Sequence, residues 1–467
     1  MLNPNDFSSF STDTGRIQAA VDAAVKTGET VVIPAYNART GEKLWVIDSA
    51  VKLYSGSTVI LEGAHLRMAD GVIGHMFMNS VADTPDAGNP ACRQHAITLR
   101  GIGNAVLDGG NHNGLVERNS DSFGVSTLAN TMLLFQNADR VSVENLEIVN
   151  ARYWAMTFHY CAYGRVSDIR FMSAGMCPNN DGIDLRLGCH NFVIENISGY
   201  TQDDTVALTA LNDEVPRLPG TDGSIHNVVI RNISSVTPCA NVRLLNHYGH
   251  KLYNIIIENV QTGVETEPGS GYTLIYPDAE KIAPAVTPVY WSNFENGSRR
   301  AEACVRIGEN RYFDTSRPET ASNPGELYNI TVRNVQACSR YGVTLSHAAS
   351  DVVIDNVQMF GPSACAVYFG KGIYDNVRCE NLSMSRSAVL RPSDAKPVGG
   401  AYAYEEPAAV LFRESELSNV SFRNVTAHPE ENCIFAGTGK GRIRVQDAGL
   451  RNEEQTLSAC APEIELY

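Results

Sequence analysis

The chain has 467 residues, 38 of them glycine, with 52 acidic against 37 basic side chains and a formal net charge of −15. Hydrophobic residues make up 43% and charged residues 19%, the profile of a turn-rich globular protein with ample chain for a core and not of a disordered one. The acidic balance argues against nucleic acid as a partner, and no run approaches the ~18 consecutive apolar residues of a membrane span, so no membrane is expected either.

The first fifteen residues carry no basic start followed by an apolar run, so they do not read as a secretory signal. The 11 cysteines are odd in number and scattered, without CxxC pairs or zinc spacing. They read as free, mostly buried thiols in a reducing compartment, and the expected location is cytoplasmic. No metal and no cofactor are expected.

The first predicted element is an amphipathic helix. Thr14 to Lys26 (TGRIQAAVDAAVK) puts Ile17, Ala20, Val21 and Ala24 on one face. A helix over residues 12–28 suits the cap of a repetitive β-structure, whose end otherwise exposes strand edges and core. Strand signals follow at Glu29–Ala35 and Ser57–Gly63.

Then a phrase recurs: an apolar alternation, an Asn and another apolar residue. It reads VSVENLEI from Val141, FVIENIS from Phe192, VVIRNIS from Val228 and IIIENVQ from Ile255. Further copies place the Asn at 334, 356, 381 and 424, after 145, 196, 232 and 259, with Asp168 in a degenerate copy. Several of these positions follow one another too closely for a helix plus strands, but at the right distance for one coil of a parallel β-helix. Period-two alternation gives each strand one buried face, which only stacking on the next coil covers. The expected fold is all-β: a single-stranded right-handed parallel β-helix with an N-terminal capping helix, forming one domain over residues 1–467. The recurring Asn reads first as a turn ladder hydrogen-bonded from coil to coil. Residues 262–304 and 386–416 break the repeat with Pro, Gly and aromatics, and are expected as excursions walling a cleft.

The most charged stretch of the central coils is PNNDGIDLRLG (Pro178–Gly188), and TQDDTVALTA (Thr201–Ala210) lies one coil on. Asp181 and Asp203 have the same separation as the successive repeat positions Asn334 and Asn356, which makes it one coil. That spacing stacks Asp181, Asp203 and Asp204, with Asp184 nearby. Crowded carboxylates repel when ionised, so at least one is expected to hold its proton, as glycosidic cleavage requires. Turn capping and calcium binding are the alternatives that spacing leaves open.

Asn179–Asp184 followed by Asp203-Asp204 resembles the NTD and DD motifs of glycoside hydrolase family 28, the polygalacturonase group. Trp154 is similar to the family's upstream aromatic, Val305-Arg306-Ile307 to its RIK motif, and the opening helix and VVIP to its N-terminal segment. The resemblance runs in order from about Thr12 to Asn310 and implies the β-helix fold of the pectate-lyase-like superfamily. It implies an inverting mechanism in which Asp203 is the general acid, and Asp181 and Asp204 hold and activate the attacking water. It makes Arg306 a substrate contact and Asn179 and Asn180 the residues that orient the carboxylates. Two positions depart from the family pattern. Gly308 stands where the family has Lys, and Ala240-Asn241-Val242 where it has Gly-His-Gly. Arg243, His247 and Arg186 are candidate substitutes for the lost basic groups, since Arg suits planar recognition of carboxylates. Trp154 and His159 are further candidate substrate contacts, with Asp184.

The expected function is therefore a glycoside hydrolase, inverting and exo-acting, on a plant-type or uronate-containing oligosaccharide. A polysaccharide lyase, an epimerase or an intramolecular glycosyl (fructosyl) transferase on the same fold is the first alternative. A non-catalytic carbohydrate-binding β-helix is the second. The sequence leaves open whether the chain is a homo-oligomer.

Overall fold

The structure is a computed structural model, and it describes residues 1–110, 130–151, 153–173, 179–211, 218–237, 239–246, 249–262, 294–295, 298–299, 303–308, 322–360, 365–384, 408–427, 433–447 and 464–466. The fold is the expected right-handed parallel β-helix with one N-terminal helix. The chain divides into two compact units. One comprises Met1–Thr205, Asp213–Asp222 and Thr266–Pro288; the other comprises Val206–Asn212, Gly223–Glu265 and Val289–Tyr467.

In the first unit the helix runs Asp13–Thr27. Thr12 caps it, its hydroxyl accepting from Gly15 N at 3.0 Å, and Gly28 ends it in the left-handed region at φ 71°. Ile17, Ala20, Val21 and Ala24 are all buried, as the amphipathic pattern predicts. The polar side chains of the same helix close an open strand edge. The Asp13 carboxylate accepts from Val46 N at 2.8 Å, the Thr14 hydroxyl from Asp48 N at 2.9 Å, and the Gln18 carbonyl from Lys52 N at 2.7 Å. The helix therefore satisfies backbone donors that would otherwise template another strand.

Beyond the cap, strands stack in parallel with the core residues in columns. Val31 pairs with Val59, Val59 with Leu99, and the column continues through Val143, Val166 and Ile194. All six are buried, each side chain contributing roughly 1.5–3 kcal/mol by leaving water. The second unit repeats the device with Ile230, Ile257, Val332, Ile354, Cys379 and Phe422.

The recurring Asn marks a sharp corner. Asn232, Asn259, Asn334, Asn356, Asn381 and Asn424 all have φ between 53° and 59°, the left-handed region that Asn tolerates best among residues with a side chain. Their side chains form the expected ladder: the Asn259 amide donates to Asn232, Asn334 to Asn259, and Asn356 to Asn334, each at 2.9 Å. A second left-handed corner lies five residues upstream in each of these coils, at Asn227, Asn254, Asn329, Asp351, Asn376 and Asn419. It carries its own ladder, with Asn254 donating to Asn227 at 3.0 Å and Asn329 to Asn254 at 2.6 Å. Most of the two expected excursions, at 263–293 and 385–407, lies outside the described residues.

Candidate active site

In the first unit the strands Leu133–Gln136, Met156–His159 and Ile183–Leu185 form one sheet. Met156, Phe158, Ile183 and Leu185 point to the core, where Phe135 and Phe158 stack at 5.4 Å. Alternation turns Thr157, His159 and Asp184 to the opposite face, and Arg186 follows two residues after Asp184. This outward face is nevertheless buried: Thr157 and His159 are 0% exposed, Asp184 1% and Arg186 6%. Thr157 pairs with Asp184, and the ladder continues so that His159 lies beside Arg186, whose N–H donates to Phe158 O at 2.8 Å.

The acidic residues sit at the corner that feeds this sheet. Ala155 N donates to Asp181 O at 2.9 Å, and Gly182 N to Asp204 O at 3.0 Å. The parallel register therefore stacks Trp154, Asp181 and Asp204 on successive coils. The step from Asp181 is one residue longer than the repeat spacing predicts, so Asp204 is the register neighbour and Asp203 precedes it. Asp203 is drawn in by other contacts. Its carboxylate accepts from Asn179 N and from Asp204 N, both at 3.1 Å. Carboxylate oxygens of Asp203 and Asp204 lie within 4.8 Å of each other. Asp181, Asp203 and Asp204 are all buried.

Gly182 makes the close approach of these coils feasible. A Cβ there would lie 2.5 Å from Thr205 O and 2.8 Å from the Phe171 ring. Asn179 and Asn180 tie the coil to both neighbours. Asn179, left-handed at φ 55°, donates from its amide to the Tyr153 hydroxyl at 3.1 Å. The Asn180 amide donates to Ala151 O, and the Asn180 carbonyl accepts from Gln202 N at 3.1 Å and Asp203 N at 3.2 Å. Gln202 and Thr201 fix the next turn, the former through Ser173 O at 2.5 Å and the latter through Asp203 O at 2.9 Å. Sequence reading did not single out these two or Gly182. Their signal is position alone, immediately beside the paired acids.

Trp154, half-buried, meets Tyr153 edge-on at 5.8 Å, and the Arg186 guanidinium lies over its ring, 4.4 Å from the centre. The first unit thus gathers Asp181, Asp184, Asp203, Asp204, Asn179, Asn180, Trp154, His159 and Arg186.

The other candidates belong to the second unit. Arg243 on Ala240–Asn246 is the register partner of Arg306 on Ala303–Ile307, and both are buried. Arg306 also donates to the Cys239 sulfur at 3.5 Å. The next positions of that column are Thr344, Tyr368, Leu411 and Ala436. Gly308 is left-handed at φ 77°, and a Cβ on it would lie 2.2 Å from Ser346 O. A lysine at that place is therefore sterically excluded, a physical reason for the departure from the family pattern. His247 lies outside the described residues.

The fold is that of a parallel β-helix protein, with buried aspartates gathered at one corner of its first unit. Residues 27–221 match the model of the family described as glycosyl hydrolases family 28, and this match supports a glycoside hydrolase. Among solved structures, the family 28 exopolygalacturonase of Yersinia enterocolitica superposes with a TM-score of 0.50 at 12% identity, covering 97% of this chain and 78% of that one. The tailspike protein of E. coli bacteriophage HK620 superposes with a TM-score of 0.54 at 13% identity, covering 97% and 76%. At these identities the likeness is one of fold.

Proposed function

We propose that the protein is an inverting, exo-acting glycoside hydrolase that cleaves a uronate-containing, pectin-like oligosaccharide at the aspartate corner. The observation that carries this reading is the buried set of Asp181, Asp203 and Asp204 on adjoining coils, braced by Asn179 and Asn180. Asp203 protonates the leaving oxygen, and Asp181 and Asp204 hold and activate the water that attacks from the opposite face. The rigid backbone donors on Asp203 keep its carboxyl aimed, which matters because small misplacement of a catalytic group costs rate steeply.

Arg306 and Arg243 bind substrate, two arginines in register on adjoining coils being suited to a sugar carboxylate. His159, Trp154, Asp184 and Arg186 line the sugar ring beside the acids, and His247 is a further contact. Past Thr344 the column that carries Arg243 and Arg306 continues with Tyr368, Leu411 and Ala436, and Tyr341 stacks on Tyr368 at 4.8 Å with the Arg340 guanidinium over its ring. Eight of the nine cysteines among the described residues are free thiols, which supports a reducing, cytoplasmic setting and short substrates. No described helix is long and apolar enough to cross a membrane.

The test is product analysis on trigalacturonate. Steady release of monosaccharide from one end fits the exo reading, and a spread of internal products rejects it. An unsaturated, ultraviolet-absorbing product would instead favour a lyase on the same fold.

A further inference from the structure

The outside of the second unit carries a short aromatic ladder. His226, Tyr253 and Tyr328 are register partners on successive coils, each one residue before a corner asparagine, Asn227, Asn254 or Asn329. His226 and Tyr253 stack at 4.7 Å with their planes 16° apart, and Tyr253 and Tyr328 at 5.1 Å with planes 4° apart. Tyr253 is therefore covered on both faces. Tyr328 is covered by a ring on one face, and it is half-buried.

The ladder stops because the next position of the column is Ser350. A serine side chain is too short to cover a ring, and among the described residues no further ring or cation stacks on Tyr328. One coil on, the partner of Ser350 is Asp375. Alternation puts Ile373, 46% exposed, on the same outward side, with Tyr374 between them in the core. Two strand spacings, about 10 Å, thus separate the coil of Tyr328 from that of Asp375 and Ile373, which leaves room for one six-membered ring above the serine. Exposed acceptors flank the step. Asp351 takes the Asn376 amide on one carboxylate oxygen at 2.6 Å, and Asp375 takes that of Asn419 on one at 3.0 Å, so each has a second oxygen to offer a hydroxyl. The step is apart from the face that carries Arg243 and Arg306. Thr344 continues that face and Ser350 this one, both on Tyr341–Met359, and the chain turns between them at left-handed His347, φ 71°.

We propose that this step is a second, non-catalytic carbohydrate site, which takes a neutral pyranose ring with its C–H face on Tyr328 and its hydroxyls on Asp351 and Asp375. The negative face of the tyrosine ring attracts polarised C–H groups, and the two carboxylates accept from hydroxyls but repel a uronate. The proposal rests on the function proposed above for carbohydrate as the ligand class, and does not depend on cleavage.

Saturation-transfer NMR with irradiation of the aromatic protons of the full chain tests it. The probes are cellotriose, xylotriose and galactotriose, with trigalacturonate as the acidic comparison. At least one neutral trisaccharide is expected to receive saturation on its ring C–H protons. Tyr328→Ala is expected to weaken that sugar by about ten-fold, the upper scale of an aromatic contact. Ser350→Leu, which fills the step, should weaken it as well, and Tyr328→Phe, which keeps the ring, should retain it. Trigalacturonate should show no saturation that depends on Tyr328. Three silent neutral sugars, a signal that either Tyr328→Ala or Ser350→Leu leaves unchanged, or an equal Tyr328-dependent signal from trigalacturonate overturns the proposal. Should Tyr328→Ala not fold, loss with Ser350→Leu beside retention with Tyr328→Phe supports it, and any other pair of results overturns it. Neutral sugar bound at Tyr328 on a protein that cleaves no glycoside would refute the proposed function and leave this inference standing; cleavage without Tyr328-dependent binding would do the reverse.

Discussion

Gly182 N donates to the carbonyl of Asp204 and Ile183 N to that of Thr205, both at 3.0 Å, and these bonds set Asp181 and Asp204 in register on adjoining coils. They form because nothing projects from Gly182. Its missing Cβ is where Thr205 O and the Phe171 ring already lie. Gly182→Ala is therefore expected to push the coils apart, costing roughly 1–3 kcal/mol as overpacking does, and to lower activity more than stability alone explains. Chemical denaturation alongside kcat measurement checks this. An alanine variant as stable and active as the wild type would show that the coil gives way easily.

The ladders of the second unit give a stability prediction that separates side chain from backbone. Asn259→Ala loses the bond to Asn232, leaves the exposed Asn334 amide to water and puts alanine in the left-handed region. A loss of about 1–3 kcal/mol is expected, and Asn259→Gly, which keeps the backbone relaxed, should recover part of it. Urea unfolding of the two variants side by side reads the difference.

The pair at the helix cap makes a pH prediction. Burial pushes the Asp13 carboxyl up, but the hydrogen bond from Arg39 at 2.6 Å, those from Val46 N and Asn37, and the Arg39 charge outweigh it, and the carboxyl lies below its ordinary value. A depressed folded-state pKa gives stability that is present in full above the unfolded value near ~4 and is lost as pH falls through the folded value. Arg39→Gln is expected to cost about 1–3 kcal/mol at pH 7, with the gap to wild type closing below about pH 4. A gap that stays constant down to pH 2.5 would contradict the linkage.

Thiol chemistry gives an independent check on the core. Burial pushes the Cys189 thiol up to about 12 and raises Cys161 well above its usual value, the nearby Arg93 only partly opposing this. Of Cys92, Cys161, Cys189, Cys239, Cys304, Cys338, Cys365 and Cys379, alkylation at pH 8 is expected to reach only Cys92 and Cys338, the two that are not fully buried. Mass spectrometry of the labelled chain decides; rapid labelling of Cys189 would mean that the corner opens.

Much of the fold was legible because its physics is local. The helix showed itself through Ile17, Ala20, Val21 and Ala24, and the coils through Val-Ile alternation and the Asn corner. The second corner was equally visible at Asn227, Asn254, Asn329, Asn376 and Asn419, but Asp351 interrupts it and it sits outside the most regular phrase. Coil length was the harder quantity. The step at the acidic corner is one residue longer than the repeat suggests, and only backbone bonds show that Asp204 and not Asp203 faces Asp181. Nor could alternation reveal that Thr157, His159 and Asp184 are buried, since period two separates faces and says nothing of what covers the outward one.

The central claim is that the aspartate corner is a catalytic centre with Asp203 as its acid. Proton NMR of trigalacturonate hydrolysis, followed from the first turnover for wild type and Asp203→Asn, tests it most directly. The expected result is a first product of inverted anomeric configuration with wild type, and a rate about 10²–10⁴-fold lower with Asp203→Asn. Retained configuration, or a rate that Asp203→Asn leaves unchanged, would contradict it.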